Sequence, residues 1–216
     1  MLPKFYPILD TEIAARHGVD LLDAAEQILD GGARILQLRH KGFYSREIWN
    51  AAERLAALCR ARGVPFVIND RADLAALLGA ALHLGQDDLP PSAARRITGS
   101  ATMLGFSTHN EQQLRAAAHE PADYLALGPI FGTASKLNPD PVVGLDDLRR
   151  LRPLTDRPLV AIGGITRDNV RDVLAAGADS VAVIGDLFPR DLSSEVGNLR
   201  ARAEQWVLAT SSPKIV

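Results

Sequence analysis

Residues 30–38 read DGGARILQL and residues 175–183 read AAGADSVAV. Each is the end of a helical pattern, then a glycine, then an apolar run. Residues 77–84, LLGAALHL, are a looser third copy. A glycine in that place suits a helix C-cap that starts the turn into a strand. The repeated phrase is therefore a helix handing over to a strand, and the fold depends on how often this happens.

Working outward from these echoes, eight apolar runs appear: FYPIL at 5–9, ARILQL at 33–38, PFVIND at 65–70, AALHLG at 80–85, ATMLGFS at 101–107, DYLALGPI at 123–130, PLVAIGGI at 158–165 and DSVAVIG at 179–185. Each precedes a helical pattern, with helices expected near 20–30, 45–62, 72–78, 91–97, 110–119, 145–152, 167–176 and 192–208. The runs are continuously apolar rather than alternating, which suits parallel strands covered by helices. Eight strand-then-helix units in 216 residues point to a single-domain (β/α)8 TIM barrel, with an open doubly wound sheet as the alternative. The tail from about residue 209, ATSSPKIV, is expected to fray and to carry no function.

Net charge is −2, so no global basic field invites nucleic acid or a membrane surface, and any anion site must be local. Cys59 is the only cysteine. It excludes an internal disulfide and a multi-cysteine zinc site, and its helical context suggests a buried thiol. No apolar run reaches the ~18 residues of a transmembrane helix, and the start lacks a signal-peptide pattern. The expected compartment is the cytoplasm, and the expected partners are small molecules. The oligomeric state is left open.

The unusual side chains fall after the strands and before the helices, on the face where barrel active sites are built. After the second run, Gln37, Arg39 and Lys41 are spaced by two, so all three share one face of a strand while His40 points away. Asp70 and Asp88 close adjacent strands. Two carboxylates placed together need a cation or a shared proton, and hard oxygen donors suit Mg²⁺; capping the following helix is the other reading of each. Arg39, Lys41 and Lys136 supply cations suited to phosphate oxygens, with hydroxyls from Thr133 and Ser135 nearby. Gly164 in IGGI and Gly185 in IGD allow backbone to approach a second phosphate. Together these features suggest a diphosphate site assisted by metal and a separate phosphate site made of amides. Ser107 lacks a Ser-His-Asp context and is read as a donor to substrate. His83 is read as a packed or hydrogen-bonded barrel residue, and His109 as a candidate helix cap.

At this point the chain resembles the thiamine phosphate synthase family. The resemblance is carried by Gln37-Leu38-Arg39-His40-Lys41, Asn69-Asp70-Arg71, His83-Leu84-Gly85-Gln86-Asp87-Asp88 and Gly105-Phe106-Ser107-Thr108-His109. It continues in Gly128-Pro129-Ile130-Phe131, Thr133-Ala134-Ser135-Lys136 and Ala161-Ile162-Gly163-Gly164-Ile165. It implies a Mg²⁺-dependent transferase that joins hydroxymethylpyrimidine diphosphate to hydroxyethylthiazole phosphate. On that resemblance, Gln37, Leu38, Arg39, His40, Lys41, Asn69, Ser107 and Lys136 contact the pyrimidine diphosphate. Arg39, Lys41, Ser107 and Lys136 carry the chemistry, and Asp70 and Asp88 hold Mg²⁺. Thr133, Ala134, Ser135, Gly164, Ile184 and Gly185 contact the thiazole phosphate. The family usually has serine where this chain has Gly185, and a second threonine where it has Ser135. The alternatives are a thiazole tautomerase, whose relatives carry histidine where this chain has Pro129, and a non-catalytic binding protein for thiamine precursors.

Overall fold

The computed structural model describes residues 2–132, 140–188 and 198–211. Eight parallel strands close into a barrel in sequence order: β1 (Phe5–Asp10), β2 (Leu36–Arg39), β3 (Phe66–Asn69), β4 (Ala81–Leu84), β5 (Leu104–Thr108), β6 (Tyr124–Leu127), β7 (Leu159–Ile162) and β8 (Ser180–Val183). β8 returns to β1, with Tyr6 opposite Ala182. The (β/α)8 reading therefore holds, and the open sheet is excluded.

The helices are α1 (Thr11–Arg16), α2 (Leu21–Asp30), α3 (Arg46–Ala61), α4 (Ala72–Leu78), α5 (Pro91–Thr98), α6 (Glu111–Ala117), α7 (Gly144–Leu151), α8 (Val170–Ala175) and α9 (Leu199–Thr210). Seven of the expected helices are met within a few residues at each end. α1 was not expected. It starts directly on Asp10, whose carboxylate caps it by accepting from the Glu12 and Ile13 amides at 3.1 and 3.0 Å. α9 runs to Thr210, past the expected fraying point, because Thr210 is buried and its hydroxyl bonds the Trp206 carbonyl at 2.8 Å. Residues 189–197 and 212–216 lie outside the described part, so the expected start of the last helix does too.

Strand alternation splits the core in two. Leu9, Leu36, Leu38, Leu82 and Leu125 face outward and pack under the helices. Tyr6, Ile8, Ile35, Val67, Tyr124, Ala126, Val160 and Ala182 fill the barrel interior. The interior mixes two tyrosines with small residues. Gly105, opposite Tyr124 in the β5–β6 register, is the reason Tyr124 fits: a Cβ there would lie 2.1 Å from the Tyr124 ring. Buried Cys59 lies in α3, its thiol pushed up to about 12 by burial, as an inert packing residue. Among the described residues no helix is long and apolar enough to cross a membrane.

Candidate active site

The inward residues of β2 climb from apolar to charged. Ile35 sits in the barrel core, Gln37 is 2% exposed, and Arg39 reaches the mouth. The spacing-of-two expectation is met for Gln37 and Arg39; β2 ends at Arg39, so Lys41 lies beyond the strand and reaches Asp70 from the loop. Below the mouth the polar side chains join into one hydrogen-bonded chain. Gln37 Nε2 donates to the Tyr6 hydroxyl (2.9 Å), which meets the Tyr124 hydroxyl (2.8 Å). Tyr124 meets His83 Nδ1 (3.0 Å), and His83 Nε2 meets Ser107 Oγ (2.9 Å). Burial pushes the His83 ring down to about 4, so it is neutral at physiological pH, and burial raises both tyrosines. His83 is hydrogen-bonded to hydroxyls and has no carboxylate on its far side, so Ser107 is not a triad nucleophile.

Above this floor lie the charges. Arg39 forms an ion pair with Asp10, and Lys41 with Asp70. The Asp88 carboxyl lies beside Asp70 and accepts from the Gly85 amide at 2.7 Å. Burial first, then the Asp88 carboxyl beside it, push Asp70 up to about 6, with Lys41 pulling the other way. Neither carboxylate caps a helix. The residue before α4 is Arg71 and the residue before α5 is Pro90, and neither makes a side-chain cap bond. Asp87 is exposed. Asp70 is also the one non-glycine residue with a positive φ (67°) among those described. Asn69 adds a buried side-chain nitrogen with no hydrogen-bond partner among the described residues.

This pair of carboxylates fits a hard divalent cation. The described mouth sets Arg39 and Lys41 against Asp10, Asp70 and Asp88, an excess of negative charge that an anionic ligand alone would worsen. Among the described residues no group of three His, Cys, Asp or Glu gathers. Such a cation would therefore keep waters or take oxygens from the ligand.

Two of the expected contacts are turned elsewhere. Leu38 is fully buried under the helices, so its side chain does not reach the mouth. The His40 ring is engaged by protein on both nitrogens, with Thr11 Oγ1 at 2.8 Å and the Phe43 carbonyl at 3.1 Å, and it packs edge-on against Tyr44. It organises the loop and offers no free ring nitrogen to a ligand. His109 does not cap α6; Asn110 does, while His109 ties its own loop to the Gly128 carbonyl at 2.6 Å.

The residues expected to form a second phosphate site are only partly among those described. Thr133, Ala134, Ser135 and Lys136 lie outside the described residues. Gly163 and Gly164 both have positive φ (98° and 62°), and a Cβ on Gly164 would lie 2.5 Å from the Gly132 carbonyl oxygen. Gly164 is thus required by its neighbouring loop, a tighter constraint than the ligand approach expected of it. α8 begins six residues after Gly164, later than expected. Ile184 packs on the barrel interior, and Gly185 opens a short 3-10 turn. Beside them Asp186 pairs with Arg167 at 3.1 Å.

Sequence reasoning passed over Tyr6, Tyr124 and Asp10. Aromatic residues inside apolar runs read as core, and only the register reveals that their hydroxyls meet. Asp10 ends its run, the same signal that singled out Asp70.

Comparison with known proteins agrees with this geometry. The family model described as thiamine monophosphate synthase matches residues 5–187. A thiamine-phosphate synthase of Koribacter versatilis is 49% identical over 199 residues, covering 90% of this chain and 94% of the relative. One of Syntrophomonas wolfei is 39% identical, covering 89% and 93%. A solved thiamine phosphate pyrophosphorylase from Pyrococcus furiosus superposes with a TM-score of 0.81 at 30% identity, covering 96% of this chain and 95% of that one.

Proposed function

Since this chain belongs to the thiamine monophosphate synthase family, a family of transferases, we propose that it joins hydroxymethylpyrimidine diphosphate to hydroxyethylthiazole phosphate at the barrel mouth. The observation that carries the reading is the Asp70–Asp88 carboxyl pair, closed by Lys41 and set above the buried Gln37–Ser107 chain.

In this reading the pyrimidine ring sits on the polar floor and its diphosphate among the charges. The bond between the methylene carbon and the diphosphate oxygen breaks, and the electron pair leaves with diphosphate. The electron-rich aminopyrimidine stabilises the methylene cation. The thiazole nitrogen then gives its lone pair to that carbon, forming the new C–N bond without any protein nucleophile. Arg39 is held by Asp10 so that part of its guanidinium faces the leaving group, and Lys41 contributes a point charge. Asp70 and Asp88 would hold Mg²⁺, which when bound supplies positive charge to the departing diphosphate. Lys136, Thr133, Ala134 and Ser135 are proposed to join from the loop after β6, and Gly164, Ile184 and Gly185 to meet the thiazole phosphate.

The test is to mix both substrates with Mg²⁺ and measure thiamine phosphate. Product should form and should stop in EDTA. Asp70→Asn and Asp88→Asn should each cut turnover by on the order of 10²-fold or more. Asparagine tolerates the left-handed φ at position 70, so loss there would not reflect backbone strain. No product from the wild type sinks the reaction, and full activity in EDTA or in either variant sinks the metal role.

A further inference from the structure

The chain Gln37–Tyr6–Tyr124–His83–Ser107 has a direction that follows from counting hydrogens. The Gln37 amide nitrogen donates to the Tyr6 oxygen. Tyr6 has one hydrogen, and its other partner among the described residues is Tyr124, so Tyr6 donates to Tyr124. Tyr124 must then donate to His83 Nδ1. A neutral imidazole that accepts at Nδ1 carries its hydrogen on Nε2, which donates to Ser107 Oγ. Two groups are left over. Gln37 keeps its carbonyl oxygen as an acceptor, and Ser107 keeps its hydroxyl hydrogen as a donor. Turning the Gln37 amide over would reverse every bond in the chain, so the two ends change together.

We propose that this buried chain makes Gln37 and Ser107 a matched acceptor and donor that selects a 4-aminopyrimidine over its 4-oxo counterpart, with Tyr6, Tyr124 and His83 as positioning residues. The inference rests on the pyrimidine reading given above. An aminopyrimidine offers an amine hydrogen and an unprotonated ring nitrogen, the complement of Gln37 and Ser107. The oxo form offers a carbonyl oxygen, which meets the Gln37 carbonyl like against like, and a protonated ring nitrogen, which Ser107 can accept only by turning its hydroxyl hydrogen away and leaving it unused. Gly105 is a structural companion of the device, because the Tyr124 phenol occupies the space that a side chain there would need.

The experiment compares kcat/KM for the amino and oxo pyrimidine diphosphates in the wild type, Tyr6→Phe and Tyr124→Phe, each checked by thermal melts. The wild type should prefer the amino substrate by roughly 100-fold or more, as a site with directed polar groups rejects an inverted pattern. Tyr6→Phe lets the Gln37 amide turn independently of Ser107, and the preference should fall by about tenfold or more. Tyr124→Phe cuts the chain at its centre and should do the same, which guards against one variant failing to fold. A structural role alone would lower both substrates equally; an unchanged preference in folded variants overturns the inference. A wild type that makes no thiamine phosphate overturns the underlying reading as well, whereas an active wild type with unchanged preferences in the variants overturns only the polarity device.

Discussion

Arg39 and His40 are neighbours with opposite duties, and the difference is measurable. Arg39 faces inward and is held by buried Asp10, while His40 spends both ring nitrogens on Thr11 and Phe43. Arg39→Ala should lower kcat/KM by roughly 10- to 150-fold, since a charge-assisted phosphate contact contributes about 1.5–3 kcal/mol. Arg39→Lys should also be impaired, because an ammonium cannot span Asp10 and a phosphate in one plane. His40→Ala should loosen the loop and cost much less. If His40→Ala proves the damaging change in steady-state assays of folded protein, the facing is inverted. The spacing of two at 37, 39 and 41 made this legible in the sequence; the hold of Asp10 was not, since its partner lies 29 residues away. A second prediction concerns His83. Its ring is pushed down to about 4 by burial, against an ordinary value of 6.5. Between those values the unfolded chain binds the extra proton, so this contribution is intact above pH 6.5 and is lost as pH falls toward 4, an effect of about 3 kcal/mol. Asp70, raised to about 6, works in the opposite sense as it takes up a proton in the folded state. The wild type and His83→Gln must therefore be compared by urea unfolding in EDTA at pH 7 and pH 4.5. The variant should lose less stability on acidification, and an equal loss in both would remove His83 as the source.

At the scale of elements, the strands were legible because their apolar runs are short and are separated by helical patterns. The connections were less so. α1 escaped notice because TEIAAR follows β1 with no intervening turn, and its start depends on the Asp10 cap that only the fold displays. The loop after β7 is another case. GGI reads as a phosphate cradle, yet the structure gives Gly164 a prior obligation: its φ of 62° and its closeness to Gly132 and Phe131 fit it against the loop after β6. Gly164→Val would place a Cβ 2.5 Å from the Gly132 carbonyl oxygen and 2.7 Å from Phe131 Cβ. It should therefore lower the melting temperature and weaken thiazole phosphate binding together, because the collision moves the neighbouring loop. Calorimetric titration and a thermal melt on the same sample check this. Weakened binding with an unchanged melt would mean that Gly164 serves the ligand alone.

Across the whole molecule, the barrel separates the chemistry from much of what holds it together. The repeated helix–glycine–strand phrase marked the β/α unit and the count of apolar runs gave eight of them, which favoured a barrel over an open sheet; closure itself is shown by β8 pairing with β1. The phrase could not foresee which aromatic residues close the far end. Phe5 begins β1, five residues and about 16 Å of strand from the Asp10 at the mouth. Its ring stacks on Trp206 of α9, with centroids 5.6 Å apart and planes within 4°. Trp206 is fully buried, and among the described residues its indole nitrogen has no hydrogen-bond partner. Together they fasten the last helix over the first strand, while α9 also packs on α2. Trp206→Ala should cost about 3–5 kcal/mol through the cavity it leaves. Trp206→Phe should cost less, because a ring still fills part of the space and the unpaired N–H is removed. Neither substitution touches the mouth, so kcat and KM per folded molecule should stay close to wild type at a temperature well below the melt. Urea unfolding and steady-state kinetics on the same preparations decide the matter. If kcat fell in proportion to stability while the protein remained folded, the two ends of the barrel would be coupled, and the fastening at Phe5 and Trp206 would belong to the active site as well as to the fold.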